Sequence, residues 1–440
     1  MNNGFKEKII AFVPAKGNSE RITSKNLKLL DGKPLVQYTL EKLSSMSVFD
    51  KIYVDTDSEE VSIMSTKVGN IDVMKRDPSL ASNSTNGNEL LLNEISYDNT
   101  GTIYVQVLCT SPFLEKETIL KAIQAVRDGG FSSAFAVRRE KQYLWSSKGP
   151  EYNLSKIPNS VDIEDTVVES MSLYVITKEA ALSSSARISD NFKFIDISPT
   201  EAIDLNNPED FRLAEYVASG KRERHRKLLD NLRAGLTSAL LSDIMDDISI
   251  ADGSIITNLN PNTESAKILG YAKTLRLRKK KPEESLQGIY DALKSYDSVT
   301  TGDVIVVETE TPDYAYFGEL NANLAIRSGA SGVIVGGATR DSQSVKGYNL
   351  PVFSTHTTCV DVRGRAVLDS ISMPIEISGV RVREGDLIFA DSEGVVVVPS
   401  PWVECVLSRA LDAIKSEKDI IHDITRGQDV ASITKKYGFF

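Results

Sequence analysis

Residues 318–341, GELNANLAIRSGASGVIVGGATRD, read as a loop, an amphipathic helix, a buried strand and a polar loop that ends in Arg340-Asp341. Leu320, Leu324 and Ile326 are expected to form the apolar face of the helix, and Gly329 and Gly332 to end it. Val333-Ile334-Val335 is a β-branched run of the kind found in a strand covered on both faces. Beyond it, Gly336-Gly337-Ala338-Thr339 is too small to fill a pocket, so Arg340 and Asp341 can face an open site at a strand's end. Adjacent opposite charges can equally be a solvated loop.

Gly318-Glu319-Leu320, Gly329-x-x-Gly332 and Gly337–Asp341 resemble the core signature of the RraA-like family, which includes 4-hydroxy-4-methyl-2-oxoglutarate aldolases, oxaloacetate decarboxylases and a ribonuclease regulator. A second segment agrees with it: Gly379–Asp386 followed by Asp391–Pro399. The resemblance implies a swivelling β/β/α fold and a metal-dependent (Mg²⁺ or Mn²⁺) class II pyruvate aldolase or oxaloacetate decarboxylase. By position, Asp341 is the metal ligand and Arg340 the group that meets the developing enolate. Gly318 and Leu320 supply backbone amides for the substrate carboxylate, and Glu319 serves proton transfer. The aldolases commonly carry an acid three residues after the metal aspartate, where this chain has Ser344.

At 440 residues the chain is long for one core, and two domains are expected, 1–220 and 221–440. Ser219-Gly220 with the charged Lys221–Leu229 reads as the linker. Composition is that of an ordinary globular protein, 41% apolar and 25% charged. No apolar run approaches the ~20 residues of a spanning helix, so no membrane partner is expected. Three separated cysteines suit a reduced, cytoplasmic setting. The net charge of −10 argues against general nucleic-acid binding. The basic runs Lys221–Lys227 and Arg276–Lys281 read as a solvated face or linker, since neither interleaves aromatics.

In the first half, strands at Lys8–Val13, Lys51–Asp55 and Gly101–Leu108 alternate with helices near 35–45, 58–68 and 115–128, the pattern of a mostly parallel sheet covered on both faces. The loop Pro14–Arg21 lacks a P-loop ending, yet its glycine and serine with Lys16, Arg21 and Lys25 suit a triphosphate. An ordinary basic surface loop is the plain alternative. Val13-Pro14-Ala15-Lys16-Gly17-Asn18-Ser19-Glu20-Arg21 with Lys25-Asn26-Leu27 resembles the signature of N-acylneuraminate (CMP-sialic acid) cytidylyltransferases. Asp55-Thr56-Asp57, Arg76-Asp77-Pro78, Leu80-Ala81-Ser82, Thr110-Ser111-Pro112 and Ile203-Asp204-Leu205 agree with it, over roughly residues 6–218.

That resemblance implies a Rossmann-like nucleotidyltransferase domain with CTP as substrate. Nucleotide contacts fall on Lys16, Gly17, Ser19, Arg21, Asn26, Arg76 and Ser82, a catalytic cation on Lys25, and Mg²⁺ on Asp204. The family often has arginine at Lys16, and Asn206 replaces its second metal aspartate. Leu108-Cys109 and Ser170-Met171 depart from the pattern where the family recognises its sugar. The combined expectation is a bifunctional enzyme acting on CTP, a 2-keto-3-deoxy sugar acid and a 2-keto acid. The RraA-like resemblance implies trimers and the synthetase resemblance dimers, so a homo-oligomer, trimer or hexamer, is expected, and a dimer of trimers would satisfy both. Two rivals stay open. The second domain can be a non-catalytic oligomerisation or regulatory module, or the acceptor can be another acid such as a phosphonate.

Overall fold

The computed structural model describes residues 7–438 apart from Asn18, Glu20, Asn83 and 251–253. The chain forms two compact α/β units, Met1–Ser219 and Gly220–Phe440.

In the first unit the strand Ile9–Pro14 alternates its side chains between two cores. Ile9, Ala11 and Val13 enter one apolar cluster, while Ile10 and Phe12 enter another on the opposite face. A strand with no polar face belongs in the middle of a sheet. It pairs in parallel with Lys51–Thr56 on one side and Ile103–Val107 on the other. The seven-stranded sheet continues through Asp72–Lys75 at one edge. At the other, Thr166–Thr177 and Ser133–Glu140 pair antiparallel, with Phe192–Asp196 last. The sheet is therefore mostly parallel, as expected. Asp31 and Gly32, at φ 52° and 77°, form the two-residue turn between Leu29–Leu30 and Lys33–Pro34.

The second unit is built on a nine-stranded mixed sheet. Ile268–Lys279, Val304–Thr309, Gly332–Thr339 and Val352–Thr357 run parallel in that order. Leu387–Ala390 and Val395–Val398 extend it antiparallel. Val333 and Val335 pack on one face and Ile334 on the other, the two-sided burial that the β-branched run implies. This is the β/β/α arrangement expected for the second half.

Two local expectations are corrected. The strand that begins at Gly332 continues through Gly336-Gly337 to Thr339 and does not open into a loop after Val335. A register shift falls between Val335 and Ala338, and a Cβ at Gly337 would lie 2.7 Å from Thr309 Cγ2, so glycine lets the bulged strand keep its neighbour. The helix Glu319–Ser328 buries Ala322 and Ala325, while Leu320 is 79% and Ile326 43% exposed. Small residues three apart let its backbone close on the core; Leu324 packs partly buried against that core as expected, while Leu320 and Ile326 sit on the outer side. The helix-favouring Lys221–Leu229 lies inside the helix Pro208–Arg233, where Gly220 costs some helix propensity but meets no steric obstacle.

Candidate functional sites

The parallel strands of the first unit end at the loop carrying Lys16 and Gly17. Gly17 donates its N–H to Asp57 Oδ1 at 2.8 Å, and a Cβ there would sit 2.8 Å from Ser58 Cβ. Only glycine permits this approach. Asn26 is buried; its Nδ2 donates to Lys16 O (2.8 Å) and its Oδ1 accepts from Cys109 Sγ (3.3 Å), which ties the loop to the neighbouring strand end. Lys25 Nζ donates to Leu205 O at 2.7 Å, and Leu205 N–H to Thr110 O at 2.9 Å, so residues 180 apart in sequence meet here.

Burial pushes the Lys25 ammonium below the usual lysine range, opposed by Cys109 and Asp204 and reinforced by Arg21 and Lys16. These five residues thus share one electrostatic neighbourhood. Burial raises the Cys109 thiol to about 11, so it stays a thiol. Asp204 accepts from Asn206 Nδ2 on Oδ2 at 2.6 Å, while its buried Oδ1 has no hydrogen-bond partner. An orphaned carboxylate oxygen facing a cluster of cations is a fitting ligand for a hard divalent ion that also holds phosphate. Asn206 presents its amide N–H₂ to Asp204, and so orients that carboxylate.

Not every expected contact is brought to the surface. Arg76 is buried and forms a bidentate pair with Asp55, Nε to Oδ1 at 2.9 Å and Nη2 to Oδ2 at 2.7 Å. Ser82 is exposed in a hydroxyl cluster with Ser84 and Thr85 (2.8 and 3.0 Å). Arg21 is exposed and Ser19 half-buried; Asn18 and Glu20 lie outside the described residues.

Sequence reasoning missed what lies behind Arg76. Glu94 is fully buried, accepts from Gln106 Nε2 at 2.9 Å, and leaves Oε1 without a partner. Burial, with Asp55 beside it, holds the Glu94 carboxyl well above the usual range. A glutamate inside the otherwise ordinary helix Gly87–Tyr97 gives no sequence signal of this.

In the second unit, Arg340 and Asp341 sit at the carboxyl end of Gly332–Thr339. Arg340 N–H donates to Phe317 O at 2.9 Å, and Phe317 bridges Thr339, which places Gly318-Glu319 beside the pair. Asp341 adopts φ 52°, a left-handed conformation that aspartate tolerates. Its Oδ2 accepts from Glu319 N–H at 3.1 Å and lies 3.6 Å from Arg340 Nε. A Cβ at Gly318 would stand 2.6 Å from that oxygen, so the missing side chain is what leaves the carboxylate its space. The half-exposed Asp341 in this cradle fits a divalent ion whose remaining positions go to water and substrate. Glu319 Oε1 accepts from Tyr348 Oη at 2.5 Å, and Leu320, as the second helical residue, has no intrahelical acceptor for its N–H.

Asp361 completes the site. Its Oδ2 lies 2.6 Å from Arg340 Nη1, and the bridge Ala315–Asp361 brings its loop in. His356, on the neighbouring strand Val352–Thr357, pairs its Nδ1 with Thr355 Oγ1 at 2.9 Å. Ser344 lies in the short helix Ser342–Gly347 that follows Asp341. Among the described residues no three His, Cys, Asp or Glu side chains gather as a metal cluster, and no helix is long and apolar enough to cross a membrane.

Comparison with known proteins bears out both resemblances. Residues 10–194 match the Cytidylyltransferase family model and residues 238–397 the Aldolase/RraA model. Protein DlpA of Legionella pneumophila is 29% identical over 201 residues, 46% of this chain and 32% of that protein, so the chain spans about a third of its length. A Halalkalibacterium halodurans protein, provisionally named a 4-hydroxy-4-methyl-2-oxoglutarate aldolase, is 29% identical over 176 residues, covering 40% of this chain and 78% of that one. N-acylneuraminate cytidylyltransferase A of Danio rerio is 24% identical over 362 residues, covering 75% and 82%. The chain thus joins a cytidylyltransferase-like half to an Aldolase/RraA-like half.

Proposed function

We propose that the first unit transfers a cytidylyl group from CTP to a 2-keto-3-deoxy sugar acid and that the second is a metal-dependent lyase of a 2-oxo acid. The observation that carries the first reading is the unpartnered Asp204 oxygen in the electrostatic neighbourhood of Lys25, Lys16 and Arg21. Mg²⁺ at Asp204 would neutralise triphosphate charge. Lys16 and Arg21 hold the phosphates, with the Gly17 backbone allowing close approach. The acid's hydroxyl oxygen forms the new bond to the α-phosphorus as the bond to pyrophosphate breaks, its proton passes to solvent, and Lys25 offsets the charge that builds there. Such transfer rests mainly on positioning and charge. Replacing Lys25 by methionine should lower CTP-dependent pyrophosphate release by ~10²-fold or more at unchanged folding. Unaltered release would remove Lys25 from the mechanism.

In the second unit, Asp341 would hold Mg²⁺ or Mn²⁺, which would polarise the keto group of a pyruvate unit. Arg340 then meets the enolate oxygen formed as the C3–C4 bond breaks, and Glu319 moves the proton. Pyruvate release from oxaloacetate or 4-hydroxy-4-methyl-2-oxoglutarate, abolished in Asp341→Ala, is the expected result. A non-catalytic, regulatory or oligomerising second unit is the competing reading. It is favoured by the pairing of Arg340 with Asp361 and by serine at 344. No turnover of either acid, with pyrophosphate release intact, would select that reading.

A further inference from the structure

Five of the seven arginines in residues 1–219 pair with a carboxylate: Arg76, Arg127, Arg138, Arg139 and Arg212. Among the described residues, neither Arg21 of the nucleotide loop nor Arg187 has a carboxylate at ion-pair distance. Arg187 is half-buried in the loop between the helix Lys178–Ser184 and the strand Phe192–Asp196. A guanidinium drawn out of water without a counter-charge is costly unless other groups answer it. Tyr174 does so in part, its ring centroid 3.9 Å from Arg187 Cζ. Nη1 adds a long bond, 3.4 Å, to Gln106 Oε1. Nε and Nη2 meet no acceptor among the described residues.

The surroundings hold this group in place without neutralising it. Arg187 N–H donates to Asn88 Oδ1 at 3.0 Å and Ser189 N–H to Ser133 Oγ at 3.0 Å, so the loop is fixed on both sides. Gln106 Nε2 donates to Glu94 Oε2 at 2.9 Å, which turns the amide oxygen toward Arg187. Gly87 opens the helix Gly87–Tyr97, and a Cβ there would lie 2.4 Å from Arg187 Cζ. Glycine at that position costs helix propensity and gives the guanidinium its room. The same place adjoins the candidate metal carboxylate. Gln106 and Tyr174 are register partners near the end of Ile103–Val107. Four residues on, a stretch of at most ~14 Å, Thr110 O accepts from Leu205 N–H, next to Asp204. Burial raises the Tyr174 hydroxyl, opposed by Arg187 and reinforced by Glu169, which accepts its hydrogen bond, and by Asp204. Arg187 and Asp204 thus act on one hydroxyl.

We propose, resting on the cytidylyl transfer inferred above, that Arg187 binds the carboxylate of the accepting acid and so sets the acceptor specificity of the first unit. A guanidinium fork matches a carboxylate in a two-point contact that is stronger away from bulk water. Nε and Nη2 supply the edge for that contact. The positions where the chain departs from the family pattern on this side, Leu108, Cys109, Ser170 and Met171, offer no cation of their own.

The test is CTP-dependent pyrophosphate release by the full chain with Mg²⁺, using N-acetylneuraminate or 2-keto-3-deoxy-manno-octonic acid as acceptor. Arg187→Gln should raise the acceptor KM about tenfold or more, the loss of charge-assisted bonds, with the CTP KM and the unfolding midpoint unchanged. Arg187→Lys keeps the charge without the fork and should fall between the two. Gly87→Ala displaces the guanidinium without removing it, and should raise the acceptor KM in a protein no less stable than wild type. Release with an unchanged acceptor KM in Arg187→Gln overturns this assignment and leaves the transfer reaction standing. A rise in the CTP KM alone also overturns it, by moving Arg187 to the nucleotide. No release with either acid by wild type overturns the transfer reading, and the assignment with it.

Discussion

The two sites solve the same problem, holding charge in place, in opposite surroundings. In the first unit several charges are buried: Asp55 and Arg76 pair out of reach of water, Glu94 is enclosed behind them, and Asp204 keeps an unsatisfied buried oxygen. In the second, Arg340, Asp341 and Asp361 are each about a third exposed or more. Buried charge is costly to separate from its partner, whereas solvent screens an exposed pair. The first site is therefore bound up with the stability of its unit. The second should change function with little effect on folding.

The sharpest test of that contrast is Arg76→Ala. It leaves Asp55 unpaired in the core and should destabilise the first unit by about 3–5 kcal/mol, read as an early transition in denaturant unfolding. Arg340→Ala should cost no more than about 1 kcal/mol; a larger loss would break the comparison. Gly318→Ala comes next. Its methyl collides with Asp341 Oδ2, so 2-oxo acid cleavage should fall by ~10-fold or more at a nearly unchanged unfolding midpoint, with CTP turnover intact.

The smallest expected effect is a pH dependence. Glu94 has a raised carboxyl pKa in the folded state, so the folded unit holds its proton where the unfolded chain has lost it. Its contribution is full below the ordinary glutamate range and declines as pH climbs from there toward the folded value. Glu94→Gln mimics the protonated form. The variant should match wild type near pH ~3.5 and exceed it near pH ~8 in first-unit stability. Equal slopes in the two proteins would show that Glu94 does not keep its proton.

Much of the fold was legible because strand and helix periodicities are local. Ile9–Pro14 and Gly332–Val335 announce two-sided burial by their apolar runs, and the loop glycines mark where backbones approach closely. The helix at 319–328 was legible as a helix but not for its inner face. Leu324 does face the core, but the close packing that Ala322 and Ala325 allow turns Leu320 and Ile326 outward. The candidate sites were legible where motif residues are neighbours in sequence, as at Lys16–Asn26 and Arg340-Asp341. Arg76 was expected to touch nucleotide, but its partner Asp55 lies on an adjacent strand and no pattern reveals that pairing.

Sequence alone determined the two-part α/β organisation, the resemblance of each half to its family, and the residue types gathered at the two candidate sites. Those follow from periodicity, composition and motif spacing, which are properties of short stretches. Tertiary structure decided which charges are buried and which stay wet, that Leu205 meets Lys25, and that Asp361 meets Arg340. Each depends on residues far apart in the chain, and burial, which sets the strength of every such charge, exists only once the chain has folded.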